Sequence, residues 1–198
     1  MKTVTSRGWS RSVLVYEVMT PFPFGLSKSG DREPLVVSMT SARLGDRVIF
    51  AGRSAALALP LGARVGLSGQ LLLVGDATAT SALETLATAQ GILLERMGET
   101  PLPASYDLVV VEVTDGWRAH LVTLRVAVRP GGRLVVVLGD PRSGWLARLR
   151  PAPPSEASEA DVLEAVAKAS WRKARVIGSR DGQTFIEAFA APHVQSPQ

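Results

Sequence analysis

The chain of 198 residues contains no cysteine. Disulfides, thiolate metal sites and a cysteine nucleophile are excluded together. Histidine is nearly absent: only His120 and His193 occur, too few for a multi-histidine metal centre. Aromatic residues make up 6% of the chain, and no basic stripe interleaves with them, so no nucleic-acid module is expected. The charge excess is small, +4, and its basic residues are scattered, as in a mildly basic soluble protein. Long apolar runs are missing too. The stretch that begins at Leu57 is broken by Pro60, Gly62 and Arg64. A membrane span would need roughly 18 apolar residues or more. Lys2, Arg7 and Arg11 are not followed by an apolar segment, so no signal peptide is expected and the cytoplasm is the expected compartment.

Against these absences stands an apolar fraction of 46%, enough for one domain with a substantial core. Short apolar runs at 47–51, 71–74, 92–94, 108–113 and 134–138 read as buried strands. Helical segments are expected between them. The first runs from Asp31, a capping side chain followed by Pro34, to about Ala42. The others are 54–63, which Pro60 should kink or end, 80–90, 118–128 and 158–173. Residues 175–178 and 184–190 form an expected hairpin across Asp181-Gly182. Strands that are apolar throughout and alternate with helices imply a parallel sheet covered on both faces. The expected fold is α/β: a doubly wound, mostly parallel seven-stranded sheet with helices on both faces and an antiparallel C-terminal hairpin. Residues 31–190 form the domain, 1–30 an N-terminal segment or lid, and 191–198 a polar tail.

Two segments go beyond a generic α/β pattern. Ser105-Tyr106-Asp107-Leu108-Val109-Val110 opens the fourth strand with an aromatic–Asp pair. The run from Arg125 through Val128-Arg129-Pro130-Gly131-Gly132-Arg133-Leu134 to Val136 ends a helix and enters the fifth strand. Pro130 stops the helix, and the two glycines permit the positive φ of a sharp reversal. Together these segments resemble the class I S-adenosylmethionine-dependent methyltransferases, in which "LRPGGRLVV" precedes the fifth strand; here Val128 stands for the usual Leu. The resemblance covers about 31–190. Within it Leu44-Gly45-Asp46-Arg47-Val48-Ile49 is similar to the family's lead into the first strand. Ala63-Arg64-Val65-Gly66-Leu67-Ser68-Gly69 is similar to the linker before the second. The closing hairpin is similar to the antiparallel sixth and seventh strands.

The resemblance implies a cofactor site for S-adenosylmethionine, and the chain departs from the family pattern within it. The family ends its first strand on an acid followed by a glycine-rich loop. Here that loop is Gly52-Arg53-Ser54-Ala55-Ala56, with Phe50 at the acid's position and Ser54 and Ala56 at those of glycines. A Cβ where φ must be positive would be strained by about 1 kcal/mol or more. Arg53 would repel a cationic sulfonium unless it turned to solvent. Asp76, followed by Ala77, is the acid expected on the ribose hydroxyls, or else a helix N-cap. A gapless alignment puts the family's acid on Gly75. After the third strand, Met97, Gly98 and Glu99 are the expected adenine neighbours, with Glu99 equally readable as a solvated loop acid. Glu112, Thr114 and Asp115 end the fourth strand, where the family binds the methionine part and the substrate. His120 would suit a general base, or is an exposed or packed side chain. Trp9, Tyr16, Phe22 and Phe24 suggest an aromatic lid, a hydrophobic edge or a homodimer contact.

Two functions follow. One is a methyltransferase acting on a small molecule, a reaction that rests mainly on proximity and orientation. The other is a non-catalytic methyltransferase-like protein that has lost the cofactor and binds a protein partner, as Phe50, Arg53, Ser54, Ala56 and Pro60 suggest.

Overall fold

The computed structural model of the chain describes residues 34–96, 102–139, 157–180 and 182–191. The N-terminal segment with its four aromatic residues, and the expected site residues Met97, Gly98 and Glu99, lie outside them. The elements follow in the order α1 (Leu35–Thr40), β1 (Arg47–Ala51), α2 (Ala55–Val65), β2 (Gln70–Val74), α3 (Ala77–Ala89) and β3 (Glu95–Arg96). Then come β4 (Tyr106–Glu112), α4 (Trp117–Thr123), a 3-10 turn at Leu124–Val126, β5 (Val128–Leu138), α5 (Glu159–Lys168), β6 (Arg172–Arg180) and β7 (Gln183–Phe189).

The seven strands lie in the order β3-β2-β1-β4-β5-β7-β6. The first five are parallel, and β7 runs antiparallel to both β5 and β6. Alternation along each strand divides the core in two. Val48, Phe50, Leu71, Leu73, Val110 and Val135 face Val37 of α1, Leu57 and Leu61 of α2, and Leu83 of α3. Ile49, Leu72, Val109, Val111, Val136 and Ile186 face Trp117 and Leu121 of α4 and Val162 and Val166 of α5. The sheet is therefore doubly wound, as its unbroken apolar strands require. Among the described residues, no helix is long and apolar enough to cross a membrane.

Several boundaries differ from the sequence expectation. Pro60 does not end α2, which continues to Val65. Burial of Leu57, Ala58, Leu61 and Val65 along one face outweighs the hydrogen bond that proline removes. The third strand pairs through Glu95 and Arg96, not through 92–94. Ile92 and Leu94 pack instead against α2 at Gly62, where an added Cβ would stand 2.7 and 2.8 Å from them. The helix after β4 stops at Thr123, and α5 stops at Lys168. Past α5 the chain turns through Ser170 at φ 63°, and the buried Trp171 donates from Nε1 to Leu121 O at 2.9 Å. That anchor draws β6 back to Arg172. The start of α5 matches the expected 158, and there Ser158 and Asp161 form a reciprocal capping box.

Pro130-Gly131-Gly132 is not a turn between helix and strand. It is a bulge within β5, where pairing with β4 jumps from Tyr106↔Val128 to Leu108↔Arg133. The two glycines serve different needs. Gly131 has φ 75° and open space around it. At Gly132 a Cβ would stand 2.6 Å from Val128 Cγ1 and 3.1 Å from Asp107 O. Gly131→Ala should cost about 1 kcal/mol of stability through backbone strain, and Gly132→Ala about 2 to 3 kcal/mol through displacement of packed backbone. Urea unfolding of the two variants gives the order directly.

Candidate functional site

In a doubly wound sheet, ligands bind beyond the carboxyl ends of the strands. Here the ends of β1, β2 and β4 lead into the segments at Gly52, Gly75 and Val113. They open onto a cleft of two adjoining lobes, about 350 and 240 Å³. Val74, Gly75, Asp76 and His120 line both. The first lobe adds Leu73, Ala77, Thr80 and Arg96, and the second adds Gly52, Arg53, Thr114 and Asp115.

Asp76, separated from β2 by Gly75, is the N-cap of α3. Its Oδ1 accepts from Ala79 N at 2.9 Å. The side chain is exposed, and Oδ2 accepts no hydrogen bond among the described residues. Asp76 is therefore a cap and a cleft carboxylate at once. Ala77 is the first residue of α3 and lines the same lobe. Arg96 stands on that wall as well, held back against α3 by Ser81 Oγ at 2.6 Å and Glu84 Oε2 at 2.7 Å.

The β1–α2 loop is built differently from the sequence expectation. Ser54 has φ −78° and is the N-cap residue of α2, and Ala56 lies within that helix. Neither takes positive φ, so the missing glycines cause no strain. The two residues just before the helix are held by Glu112, the last residue of β4. Its Oε2 accepts from Arg53 N at 2.7 Å and from Ser54 N at 3.0 Å. Glu112 is 8% exposed and does not line either lobe; it lies under the loop. Gly52 is required by space: a Cβ there would stand 2.6 Å from Glu112 Oε2 and 2.9 Å from Phe50 Cζ. Phe50 itself is wholly buried in the core. Arg53 extends to the rim, half exposed, with Asp115 Oδ2 3.6 Å away. An exposed pair of this kind adds little stability, but it sets a carboxylate against the guanidinium at the second lobe.

His120 of α4 enters the cleft, half-buried, on the wall shared by both lobes. Burial pushes its pKa below the ordinary 6.5, so the ring is neutral near pH 7. Sequence offered one weak signal for this placement, a lone histidine on the helix that follows β4. Val74, Gly75 and Thr80 carry no signal as cleft residues. Among the described residues, no cluster of His, Asp and Glu suits a metal ion.

The capping of α2 by Glu112 has a measurable consequence. Glu112→Ala leaves two backbone donors without their charged acceptor and should lower stability by about 2 kcal/mol. Glu112→Gln keeps an acceptor oxygen and should lose less. Thermal or urea unfolding of both variants tests the order.

No protein-family model matches the chain, and none of the curated proteins matches it in sequence. Solved structures do match. A SAM-dependent methyltransferase from Aquifex aeolicus aligns with TM-score 0.63 at 18% identity, over 79% of this chain and 88% of that one. A SAM-dependent O-methyltransferase from Thermotoga maritima aligns with TM-score 0.58 at 17% identity, over 81% of this chain and 65% of that one. The [4+2]-cyclase SpnF aligns with TM-score 0.59 at 12% identity, over 80% of this chain and 79% of that one. These likenesses concern architecture, and a cyclase stands among the methyltransferases, so the fold does not name the reaction. The chain has the fold of the class I S-adenosylmethionine-dependent methyltransferases.

Proposed function

We propose that the cleft binds S-adenosylmethionine and that the chain is a methyltransferase acting on a small molecule. The observation that carries this reading is Asp76: an exposed carboxylate at the end of β2, on the wall common to both lobes, with Oδ2 unengaged among the described residues. A carboxylate so placed can accept the hydroxyl hydrogen bonds of a ribose. Ala77 and Thr80 would flank the base in the first lobe. Gly52 and Thr114 would line the methionine part in the second, and Glu112 would keep the shape of the loop beneath it. The residues fit the group, because Asp115 offsets the charge of Arg53 at the second lobe and no part of the loop is strained.

When bound, the cofactor would supply a methyl group on a positively charged sulfur. Every other contribution falls to the chain. The cleft walls orient the acceptor, and a direct displacement gains most from such positioning. Neutral His120 can take the proton that an acceptor hydroxyl or amine releases. The second reading, a non-catalytic protein that binds a partner, is favoured by one observation: Phe50 is buried in the core, and the end of β1 presents no acid.

Calorimetric titration with S-adenosylmethionine and S-adenosylhomocysteine, wild type beside Asp76→Ala, decides between the two. Micromolar binding that weakens about tenfold or more in the variant supports the first reading. Absence of binding at millimolar ligand overturns it in favour of the second. His120 gives a further expectation with a fixed sign. Its pKa is lowered in the folded chain, so the unfolded chain binds the proton more tightly. Stability should therefore fall as pH drops below 6.5 towards the folded-state value, and His120→Gln should lack that loss. Urea melts across that interval measure it.

A further inference from the structure

Basic residues scattered along the sequence are gathered by the fold at one corner of the sheet. Arg133 of β5 is paired with Phe189 of β7, and Phe189 with Arg172 of β6. Directly opposed residues of antiparallel strands project from the same face. The half-buried Phe189 therefore lies between two arginines whose backbones are about 10 Å apart, two interstrand spacings. Glu187, on the same face of β7, is paired with Arg175. Arg175 Nη2 is 2.9 Å and Arg133 Nη1 3.7 Å from its carboxylate. Arg172 and Lys173 are exposed and meet no acid among the described residues. Among those residues, Arg133, Arg172, Lys173 and Arg175 thus share a single acid, Glu187, which is itself buried. Arg133 enters β5 opposite Leu108, near the start of β4. The patch lies at the amino ends of the parallel strands, away from the cleft.

The edge beside it is closed to strand addition. β6 is the outermost strand, but its pairing with β7 shifts between Arg172 and Arg175 and again between Val176 and Gly178. Lys173 takes φ 57° within the first shift. Bulges of this kind twist an edge away from another strand. A membrane surface would call for protruding apolar side chains, and here the aromatic residue is half-buried between cations. What the arrangement offers is an aromatic ring with a guanidinium on either side. A nucleobase can stack on the ring while the flanking phosphates meet the arginines. A base held inside a duplex cannot reach such a ring, so the strand must be single. We infer that the Arg133–Phe189–Arg172 corner binds single-stranded nucleic acid, with Lys173 and Arg175 extending the phosphate contacts. Sequence spacing conceals the site, because its residues come from three strands.

The test is fluorescence anisotropy of the full chain with labelled oligouridine and oligodeoxythymidine of about 12 nucleotides. Saturable micromolar binding is expected at about 50 mM salt, and log Kd should rise with log salt at a slope of about 2 to 3. Arg172→Gln and Lys173→Gln alter exposed side chains, so folding is not at stake, and each should lower that slope by about 0.7. Phe189→Leu should weaken binding about tenfold with the slope unchanged, and Phe189→Trp should restore it. Binding of either oligonucleotide on these terms supports the inference, and a preference between them tells which sugar the patch accepts. No saturable binding at about 100 μM chain overturns it. So does binding that the Arg172 and Lys173 variants leave unchanged. Equal competition by polyglutamate together with a silent Phe189→Leu overturns it as well, as does binding to phosphatidylserine vesicles without binding to either oligonucleotide. S-adenosylmethionine titrated against the same variants reports on the cleft separately, so the two readings stand or fall apart.

Discussion

The pair of hydrogen bonds from the β1–α2 loop to Glu112 is the constraint on which the site depends. Glu112 ends β4, and the loop follows β1, the strand beside it. One carboxylate thus ties together the ends of two central strands and the start of a helix. It satisfies donors that would otherwise be orphaned at the helix N-terminus, and its charge complements the helix dipole. Phe50 deepens the effect. Its ring lies beside the same space at Gly52, and an apolar neighbour keeps water from weakening the bonds. The loop has exchanged freedom of backbone for a fixed internal anion.

That exchange explains why a glycine-poor loop can still follow the path of a doubly wound fold. Glycines are needed where φ is positive or where backbone must approach a ligand closely. Ser54 and Ala56 sit at ordinary helical or extended angles, so neither position demands glycine. Gly52 remains, because Glu112 and Phe50 leave no room for a side chain. What reads as damage along the chain is, in three dimensions, a different way of filling the same corner.

Much of the fold was legible because its signals are local. Apolar runs marked β1, β2, β4 and β5, and the helix expected from 158 begins at its cap residue Ser158. Asp181-Gly182 stood between the two hairpin strands. The misplacements arose where distant packing decided the outcome. Ile92 and Leu94 look like a strand, yet their side chains are claimed by Gly62 of α2, and pairing passes to Glu95 and Arg96. Pro130-Gly131-Gly132 looks like the end of a helix, but its role is set by register with β4. The site was less legible still. The residues that bind Glu112 lie 58 and 59 positions away, and no spacing rule connects them. Thr114 and Asp76 were found from their places at strand ends, which is a property of topology.

Asp76 shows how a structural role and a place on the cleft wall can share a side chain. A capping aspartate and a ribose-binding aspartate are alternatives only if the carboxylate has one oxygen to give. Here Oδ1 closes the first turn of α3 through Ala79 N, and Oδ2 is left over on an exposed side chain at the cleft. The cap does further work, since it fixes the rotamer from which the second oxygen projects. A free aspartate would have to lose that rotamer freedom on binding a ligand, and a capped one has already lost it during folding. Glu112 divides its labour differently: it is turned to the loop, and the ligand side is left to others. Of two acids at the ends of the strands that flank β1, one has become scaffold, and the other keeps an open acceptor.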